Sequence, residues 1–518
     1  MAGGCSLTRR QLVGASMATG LTMSAGGILL PRTAAAQPEP RYGGRIRVAS
    51  ISTSTADTLD PAKAALSTDY VRINMFYNGL TRYDRNLAAQ PELAEAIESS
   101  DRQTWRIKLR KGVVFHDGQP LTSSDVAYSL LRHKDPATAS KIKTIADQFV
   151  EVRGDGPGEV VIRLAGPNAD LPLILAQAQF LIVRNGARDF HTVNGTGPYR
   201  LAEFTPGVRT VGVRNPSYWK HGRPYLDEIE LIGIPDEVSR VNALLSGDVH
   251  FINAVSPLST KRVQATGGYE ILSTPSGLYT DFIMQQKELP TGNPHFVLAI
   301  KYLLDRALIK RALFRDFGFI ANDQPIPPFH PYYRSDLPQR PHDPDRAKWH
   351  LAQAGLTGVR LPMYCSPAAE GSVDMASVLQ ELGSQIGLRL AVNRMPSDGY
   401  WSTHWMKHPL TFGNNNPRPT ADLMFSLFYK SDAIWNESKW SNPTFDKLLL
   451  EARGEADESR RKQLYGEMQE LVSDYCGVAI PVFINLLDGY DRRVKGVYPI
   501  PIGGLMGYML ADNVWWDG

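Results

Sequence analysis

The residues best suited to chemistry in this 518-residue chain lie between positions 400 and 436. Aromatic side chains there surround a polar loop, residues 413–422, which supplies amides, an arginine and an aspartate. Flat apolar walls with a few fixed donors are what a pocket for a small polar molecule requires. The alternative is that the tryptophans belong to a core and the Asn-Pro run is only a turn. The predicted ligand contacts in this segment are Trp401, Trp405, Phe412, Asn414, Asn415, Asn416, Arg418, Asp422, Trp435 and Asn436.

Local motifs for covalent or metal chemistry are absent from the sequence. It holds no His-Glu-x-x-His, Gly-x-Ser-x-Gly, Cys-x-x-Cys or Walker loop, so we expect no catalytic residues, no cofactor and no enzyme of the common classes. A triad built from distant residues would leave no such signature. His330, His342 and His350 lie in a polar region and could ligate a metal, but their spacing fits no tight ligand set. We predict solvated loop histidines instead.

The elements that must position a pocket are readable in places. Apolar and basic residues alternate from Trp105 to Arg110, which is typical of a strand with one buried face. Thr122 and Asp125 form a capping box, so a helix is predicted to begin at Ser123. The mixture of strands and helices indicates an α/β or α+β chain. Further strands are predicted at 44–49, 210–213, 228–234 and 478–484, and helices at 69–80, 237–245, 294–314, 443–454 and 464–475.

Four motifs together resemble family 5 extracellular solute-binding proteins, the dipeptide-, oligopeptide- and nickel-binding components of ABC importers. They are LRKGVVFHDGQPLTSSDVAYSL at 109–130, TGPYRL at 196–201, NPSYW at 215–219 and NPTFDKLL at 442–449. They follow the order usual in that family, and the similarity runs from about residue 41 to the last residues. The resemblance implies an α/β, two-lobed periplasmic binding protein fold (type II, cluster C) with an extra inserted domain.

The resemblance also implies a division of the chain and a function. Lobe one would comprise residues 37–85, 198–290 and 486–518, the inserted domain 86–197, and lobe two 291–485. The protein would be the periplasmic solute-binding component of an ABC importer. Hinge closure would capture a peptide-like or other small polar organic solute, which a membrane permease then receives. A monomer is expected. The alternatives are a solute sensor that signals to a membrane receptor, or a secreted enzyme on the same scaffold.

Some site residues follow only from the resemblance. Asp57 and Tyr77 are expected contacts because the segments after the first strand line the cleft in similar proteins. Asn414 stands near the position where peptide-binding members place an aspartate that pairs with the ligand's α-ammonium. A buried ammonium without a counter-charge costs about 3–5 kcal/mol. Unless Asp422 turns inward, the ligand is therefore not an ordinary zwitterionic peptide, and Arg418 would suit a carboxylate.

Residues 1–36 are predicted to be a signal peptide that is cleaved after Ala36. Arg9 and Arg10 resemble a twin-arginine motif, the run from Leu12 to Leu30 is apolar but diluted by Gly, Ser and Thr, and three alanines precede the cleavage site. A membrane anchor is the alternative. The formal charge of +3 belongs to this segment, so nucleic acid is not an expected partner.

Two cysteines, Cys365 and Cys476, remain in the predicted mature chain. An oxidising compartment would permit a disulfide between them. Their separation in sequence says nothing about their distance in space, and isolated buried thiols are the favoured interpretation.

Overall fold

A twelve-stranded mixed sheet runs through the chain. The computed structural model describes residues 39–518, and the predictions for residues 1–36 lie outside this range. The strands are β1 Arg45–Ser50, β2 Thr81–Tyr83, β3 Ala89–Pro91, β4 Ala94–Glu98, β5 Thr104–Leu109, β6 Phe149–Gly154, β7 Glu159–Leu164, β8 Tyr199–Thr205, β9 Arg209–Arg214, β10 Glu228–Gly233, β11 Phe251–Ile252, β12 Tyr269–Met284, β13 Gly318–Ile320, β14 Arg360–Cys365, β15 Arg389–Arg394, β16 Leu410–Asn415, β17 Val478–Ala479, β18 Val482–Asp491, β19 Val494–Lys495 and β20 Trp515–Trp516.

Helices cover the faces of this sheet. The α-helices are α1 Ser67–Phe76, α2 Ser123–Leu131, α3 Lys143–Ala146, α4 Leu171–Ile174, α5 Glu237–Leu245, α6 Thr260–Ala265, α7 Pro294–Leu303, α8 Arg306–Phe314, α9 Pro344–Gln353, α10 Ser372–Ile386, α11 Tyr400–Thr403, α12 Ala421–Phe428, α13 Pro443–Gly454 and α14 Glu458–Tyr475. Short 3₁₀ turns occur at Pro61–Lys63, Arg132–Lys134, Pro136–Thr138 and Ala178–Phe180. None of the helices between residues 39 and 518 combines the length and apolar composition needed to cross a bilayer.

Two long strands, β12 and β18, connect the two halves of the main sheet. Its order is β15-β14-β16-β12-β18-β11-β1-β10-β9-β8, with β13 beside β18 and β17 beside β12. They pair antiparallel from Tyr269 opposite Asp491 to Tyr279 opposite Phe483, with a shift in register between Thr274 and Leu278. On one side of the shift the sheet continues into β11, β1 and β10, and on the other into β16, β14 and β15. The two halves of the main sheet thus meet at residues 274–278 of β12. Below, lobe one, the inserted domain and lobe two denote the predicted parts, with β12 up to Thr274 counted with lobe one and from Leu278 with lobe two.

The apolar cores follow these predicted parts only approximately, because Ala176, Leu181 and Val183 of the inserted domain belong to the core of lobe one. One core contains Ile46, Phe76 and Tyr199 of lobe one, and another contains Phe282, Met375 and Phe412 of lobe two. Between them, the four-stranded sheet β4-β5-β7-β6 of the inserted domain has a core of its own.

The structure confirms several local predictions, and the prediction of one continuous helix is wrong. The alternation at residues 105–110 forms β5, and α2 begins at Ser123, where the Thr122 N–H donates to the Asp125 carboxylate at 2.8 Å. The predicted helix 294–314 is instead two helices, α7 and α8. It breaks because Leu304 is extended and the Asp305 carboxylate accepts the Leu308 N–H at 2.8 Å, which starts a new helix. The strand predicted at 478–484 is likewise divided into β17 and the start of β18.

The cysteines and histidines occupy ordinary structural positions. Cys365 and Cys476 are both free and buried, which confirms the favoured interpretation. His330 lies in a loop, as predicted, but it is buried rather than solvated, and burial lowers its pKa to about 4. His350 lies in α9 rather than in a loop. Within residues 39–518, no group of three or more His, Cys, Asp or Glu side chains is placed to hold a metal ion.

Candidate functional site

An open cavity of about 420 Å³ lies between the two lobes, and all three parts of the chain line it. Its volume is within the range of small-molecule sites. Lobe one contributes α1 and the turn near Tyr508. The inserted domain contributes residues 141, 142, 144, 145 and 176–179, and lobe two contributes residues 416–419, 423, 427 and 435. A molecule in this cavity would touch both lobes at once.

The wall of lobe one carries two tyrosines whose rings lie next to each other. The centroids of Tyr70, on α1, and Tyr508 are 5.1 Å apart, and the Gln179 side-chain amide donates to the Tyr70 hydroxyl at 3.0 Å. Tyr508 ends a turn in which Leu505, Met506 and Tyr508 have φ values of 51°, 61° and 69°. Left-handed backbone is unfavourable for such residues and persists only where the surroundings enforce it.

Asp488, on β18, holds this turn. Its buried carboxylate accepts the Leu505 N–H at 2.6 Å, while its second oxygen has no hydrogen-bond partner. Burial raises the pKa of Asp488 to about 7. The left-handed turn, and with it the position of Tyr508 on the cavity wall, thus depends on one titratable group.

The wall of lobe two begins where β16 ends. Pro417 and Pro419 flank Arg418 and restrict the backbone. The Thr420 hydroxyl then accepts the Leu423 N–H at 3.0 Å and starts α12, which presents Leu423 and Leu427 to the cavity. The result is an arginine held in a rigid loop above an apolar helix face.

Arg418 is the most distinctive charge of the site. Its Nε atom is buried without a hydrogen-bond partner, and no ion pair formed within residues 39–518 includes it. The guanidinium carbon lies 5.4 Å from the centre of the Phe428 ring. Burial lowers the pKa of Arg418, while the hydroxyls of Tyr70, Tyr279 and Tyr508 favour its charged form. This cation faces the cavity without a counter-charge from the described chain.

Outside the cavity, buried ion pairs attach the inserted domain to both lobes. On the side of lobe one, the Arg132 guanidinium donates to both oxygens of Asp60, at 2.7 and 2.8 Å. On the side of lobe two, a guanidinium nitrogen of Arg461 lies 2.8 Å from the Asp170 carboxylate. Burial opposes the charge of Arg461, but Asp170 outweighs it and raises the pKa of the arginine. The side chain of Leu423 also packs into the core of the inserted domain.

A comparison with known families decides the class of protein. The family model described as "Bacterial extracellular solute-binding proteins, family 5 Middle" matches residues 88–436, which is more than half of the chain. The chain belongs to this family.

Individual relatives agree with this assignment. The chain is 24% identical over 471 residues to the glutathione-binding protein GsiB of Escherichia coli O1:K1, a match that covers 87% of this chain and 91% of that protein. Two solved structures, each 19% identical, are similar in fold. The periplasmic binding protein DppA of Helicobacter pylori, in complex with the peptide STSA, has a TM-score of 0.77 and covers 92% of this chain and 99% of its own. The ABC transporter substrate-binding protein CtaP of Listeria monocytogenes has a TM-score of 0.81, with coverages of 92% and 100%.

The family assignment confirms the resemblance drawn from the four motifs and the expected two-lobed α/β fold. The protein is a solute-binding protein of the ABC importer type, and the relatives are binding proteins rather than enzymes. The proteins of this family are described as extracellular.

Three of the predicted site residues line the cavity of this solute-binding protein, namely Asn416, Arg418 and Trp435. Other predicted residues of lobe two do not face the cavity, because their side chains pack in the core or form hydrogen bonds within the protein. Phe412 is fully buried in the core. The Trp405 indole N–H and the Asn415 amide both donate to Glu437, at 2.8 and 3.1 Å.

Four further residues of lobe two also lie off the cavity. The Asn414 amide donates to the Thr280 hydroxyl at 2.9 Å, and the Asn436 amide donates to the Trp440 carbonyl at 2.6 Å. Trp401 is partly exposed and packs edge-on against Trp405. The carboxylate of Asp422 lies 3.0 Å from Arg453, so it does not turn inward to replace the missing charge at position 414.

The two predicted contacts of lobe one are structural as well. The Asp57 carboxylate lies 2.8 Å from Arg72 in a buried ion pair. Tyr77 is buried in the core below the cavity. The chain between these two residues does reach the cavity. Its contacts come from α1, where Ser67, Tyr70 and Asn74 face the cavity.

Sequence reasoning missed the contacts from lobe one and the inserted domain. The helix predicted at 69–80 gives no sign that Tyr70 faces a cavity, and Lys141, Gln179 and Tyr508 stand in no motif. The left-handed turn before Tyr508, which lies between Gly503 and Gly507, is the one local signal that could have indicated a special position.

Proposed function

We propose that this protein is the periplasmic solute-binding component of an ABC importer, and that the cavity between its lobes holds the solute for delivery to a membrane permease. The observation that carries the proposal is the composition of the cavity wall, which draws on both lobes and the inserted domain. A solute that touches all three favours the closed form over the open form by its differential affinity.

Closure would bend the chain at two adjacent points. These are residues 274–278, where β12 and β18 change register, and the point opposite them in β18 near Asn485. The moving parts would be lobe one with residues 37–85, 198–274 and 486–518, the inserted domain with 86–197, and lobe two with 278–485. To reverse an equilibrium of 1:99 between closed and open forms, a solute must contribute about 5.5 kcal/mol.

The proposed contacts combine three predicted residues with those that the cavity adds. Trp435, Leu423 and Leu427 would supply apolar area, while Arg418 would orient the solute. The remaining polar contacts would come from Ser67, Tyr70, Asn74, Lys141, Thr144, Gln177, Gln179, Asn416 and Tyr508.

Calorimetry on two arginine and lysine variants tests this assignment. The solute would first be identified by mass spectrometry of what co-purifies with the protein. Arg418→Ala should weaken its binding much more than Lys430→Ala, because Lys430 lies off the cavity and pairs with Asp432. Equal affinities of the two variants, or conversion of the solute into a product, would contradict the proposal.

A further inference from the structure

We infer that the cavity between the lobes selects solutes with a net negative charge and has no place for a free ammonium group. The inference rests on the proposed function, because it assigns a chemical class to the solute of that same site. Three independent features of the described residues support it, namely the charges on the wall, the state of Arg418 and the state of the nearby carboxylates.

The wall of the cavity is positive. Its charged residues are Lys141, from the inserted domain, and Arg418, from lobe two. Of the residues that line it within the described part of the chain, none is an aspartate or a glutamate. The other polar groups are hydroxyls and amides, which are neutral. A solute that enters therefore meets positive charge from two parts of the protein.

Arg418 is partly buried, with a buried Nε atom, and it differs from the fully buried arginines of the described chain in having no partner. Arg306 pairs with Asp323 at 2.6 Å, and Arg461 pairs with Asp170 at 2.8 Å. Arg240, which has no carboxylate, donates instead to the backbone carbonyls of Ile234, Asn253 and Ala254.

A charge that is partly withdrawn from water without a partner is unfavourable. The other buried arginines show that this fold supplies partners elsewhere. Since Arg418 borders the cavity, its natural partner is a carboxylate or another planar anion on the solute, held by two parallel hydrogen bonds.

The two carboxylates predicted to contact a ligand, Asp57 and Asp422, are engaged elsewhere, and Asp488, which holds the turn before Tyr508, is fully buried and does not line the cavity. Asp422 pairs with Arg453, and Asp57 pairs with Arg72. Asn414 is neutral and its amide is turned toward Thr280. An ammonium group in the cavity would thus be desolvated without a counter-charge, beside two cations.

A charge-graded panel tests the inference. Several hundred polar solutes, grouped as anions, zwitterions, cations and neutral molecules, would be screened by thermal shift at pH 7.5, and binders would be confirmed by calorimetry. The panel includes alanyl-alanine, its N-acetyl derivative and its C-terminal amide, which share a backbone and differ in charge. We expect the tightest binders to be anions, and conversion of their carboxylate into an amide to weaken binding on the order of 100-fold.

Two variants link the selectivity to the wall. Arg418→Gln should produce a similar loss and Lys141→Gln a smaller one that disappears at high salt, because Lys141 is exposed. The melting temperature of each solute-free variant would show that it folds.

If the tightest binder were a zwitterion or a cation, or if Arg418→Gln retained full affinity for an anion, the inference would be overturned and the proposed function would remain. A panel without any binder would contradict both.

Discussion

The carboxylate of Asp170, in the inserted domain, lies 2.8 Å from the guanidinium of Arg461, in lobe two, and both side chains are at most 4% exposed. The backbone reinforces this contact, because the Ala169 N–H donates to the Arg453 carbonyl at 3.1 Å. The inserted domain is tied to lobe one by Arg132 and Asp60, so the pair between Asp170 and Arg461 joins parts that the proposed opening would separate.

Removal of both charges at this contact should destabilise the closed form relative to the open form. The double variant Asp170→Asn/Arg461→Gln avoids leaving one buried charge unpaired. We expect solute binding to weaken roughly tenfold, because the closed form loses a contact that the open form lacks. The control is Arg306→Gln/Asp323→Asn, an equally buried pair within lobe two. The control should lower the free energy of unfolding without changing affinity. An equal loss of affinity in both variants would show that the first contact is not specific to closure.

The stability of the protein should depend on pH through Asp488. Its pKa of about 7 in the folded state is above the ordinary carboxyl value, so the folded protein retains a proton that the unfolded chain releases. The contribution of this group to the free energy of unfolding therefore falls as the pH rises from about 4 to 7, by up to about 1.4 kcal/mol for each pH unit.

Asp488→Asn should remove that dependence. Asparagine keeps an oxygen that can accept the Leu505 N–H, so the turn before Tyr508 is retained. Urea unfolding should show the variant gaining stability relative to the natural protein at pH 8 but not at pH 4. A stability difference that is the same at both values would contradict the assignment.

Restoring an acidic residue at position 414 should not create a site for peptides. The Asn414 side chain lies off the cavity and donates to Thr280, so Asn414→Asp loses a hydrogen bond at a cost of about 1–3 kcal/mol. Asn416→Asp is the matched variant, because Asn416 lines the cavity. Calorimetry with alanyl-alanine should detect a gain in affinity for Asn416→Asp alone. A gain for Asn414→Asp would show that its side chain reaches the solute.

Short-range features of the fold were predictable because their causes are local. The capping box of Thr122 and Asp125 and the alternation in β5 involve neighbours in sequence. The wrong prediction of one helix at residues 294–314 also has a local cause. The apolar spacing continues across Leu304, while the cap at Asp305 divides the helix. A periodic pattern shows which face is buried, but it does not show that the backbone is continuous.

The site was predicted only in part because its geometry depends on distant partners. Trp405 and Asn415 have the right chemistry for a ligand, yet Glu437 engages both of them. Tyr508 meets Tyr70 across more than four hundred residues of sequence. Arg418 was identified because a rigid polar loop with one arginine is a local signal, whereas the absence of a partner for it is visible only in three dimensions.

The central claim is that two lobes close around an unaltered solute in this cavity. Small-angle X-ray scattering of the mature protein, with and without a saturating amount of the co-purified solute, tests it most directly. We predict a smaller radius of gyration with solute and recovery of the solute at its original mass. Superimposable scattering curves with and without a solute that calorimetry shows to be bound would contradict the account.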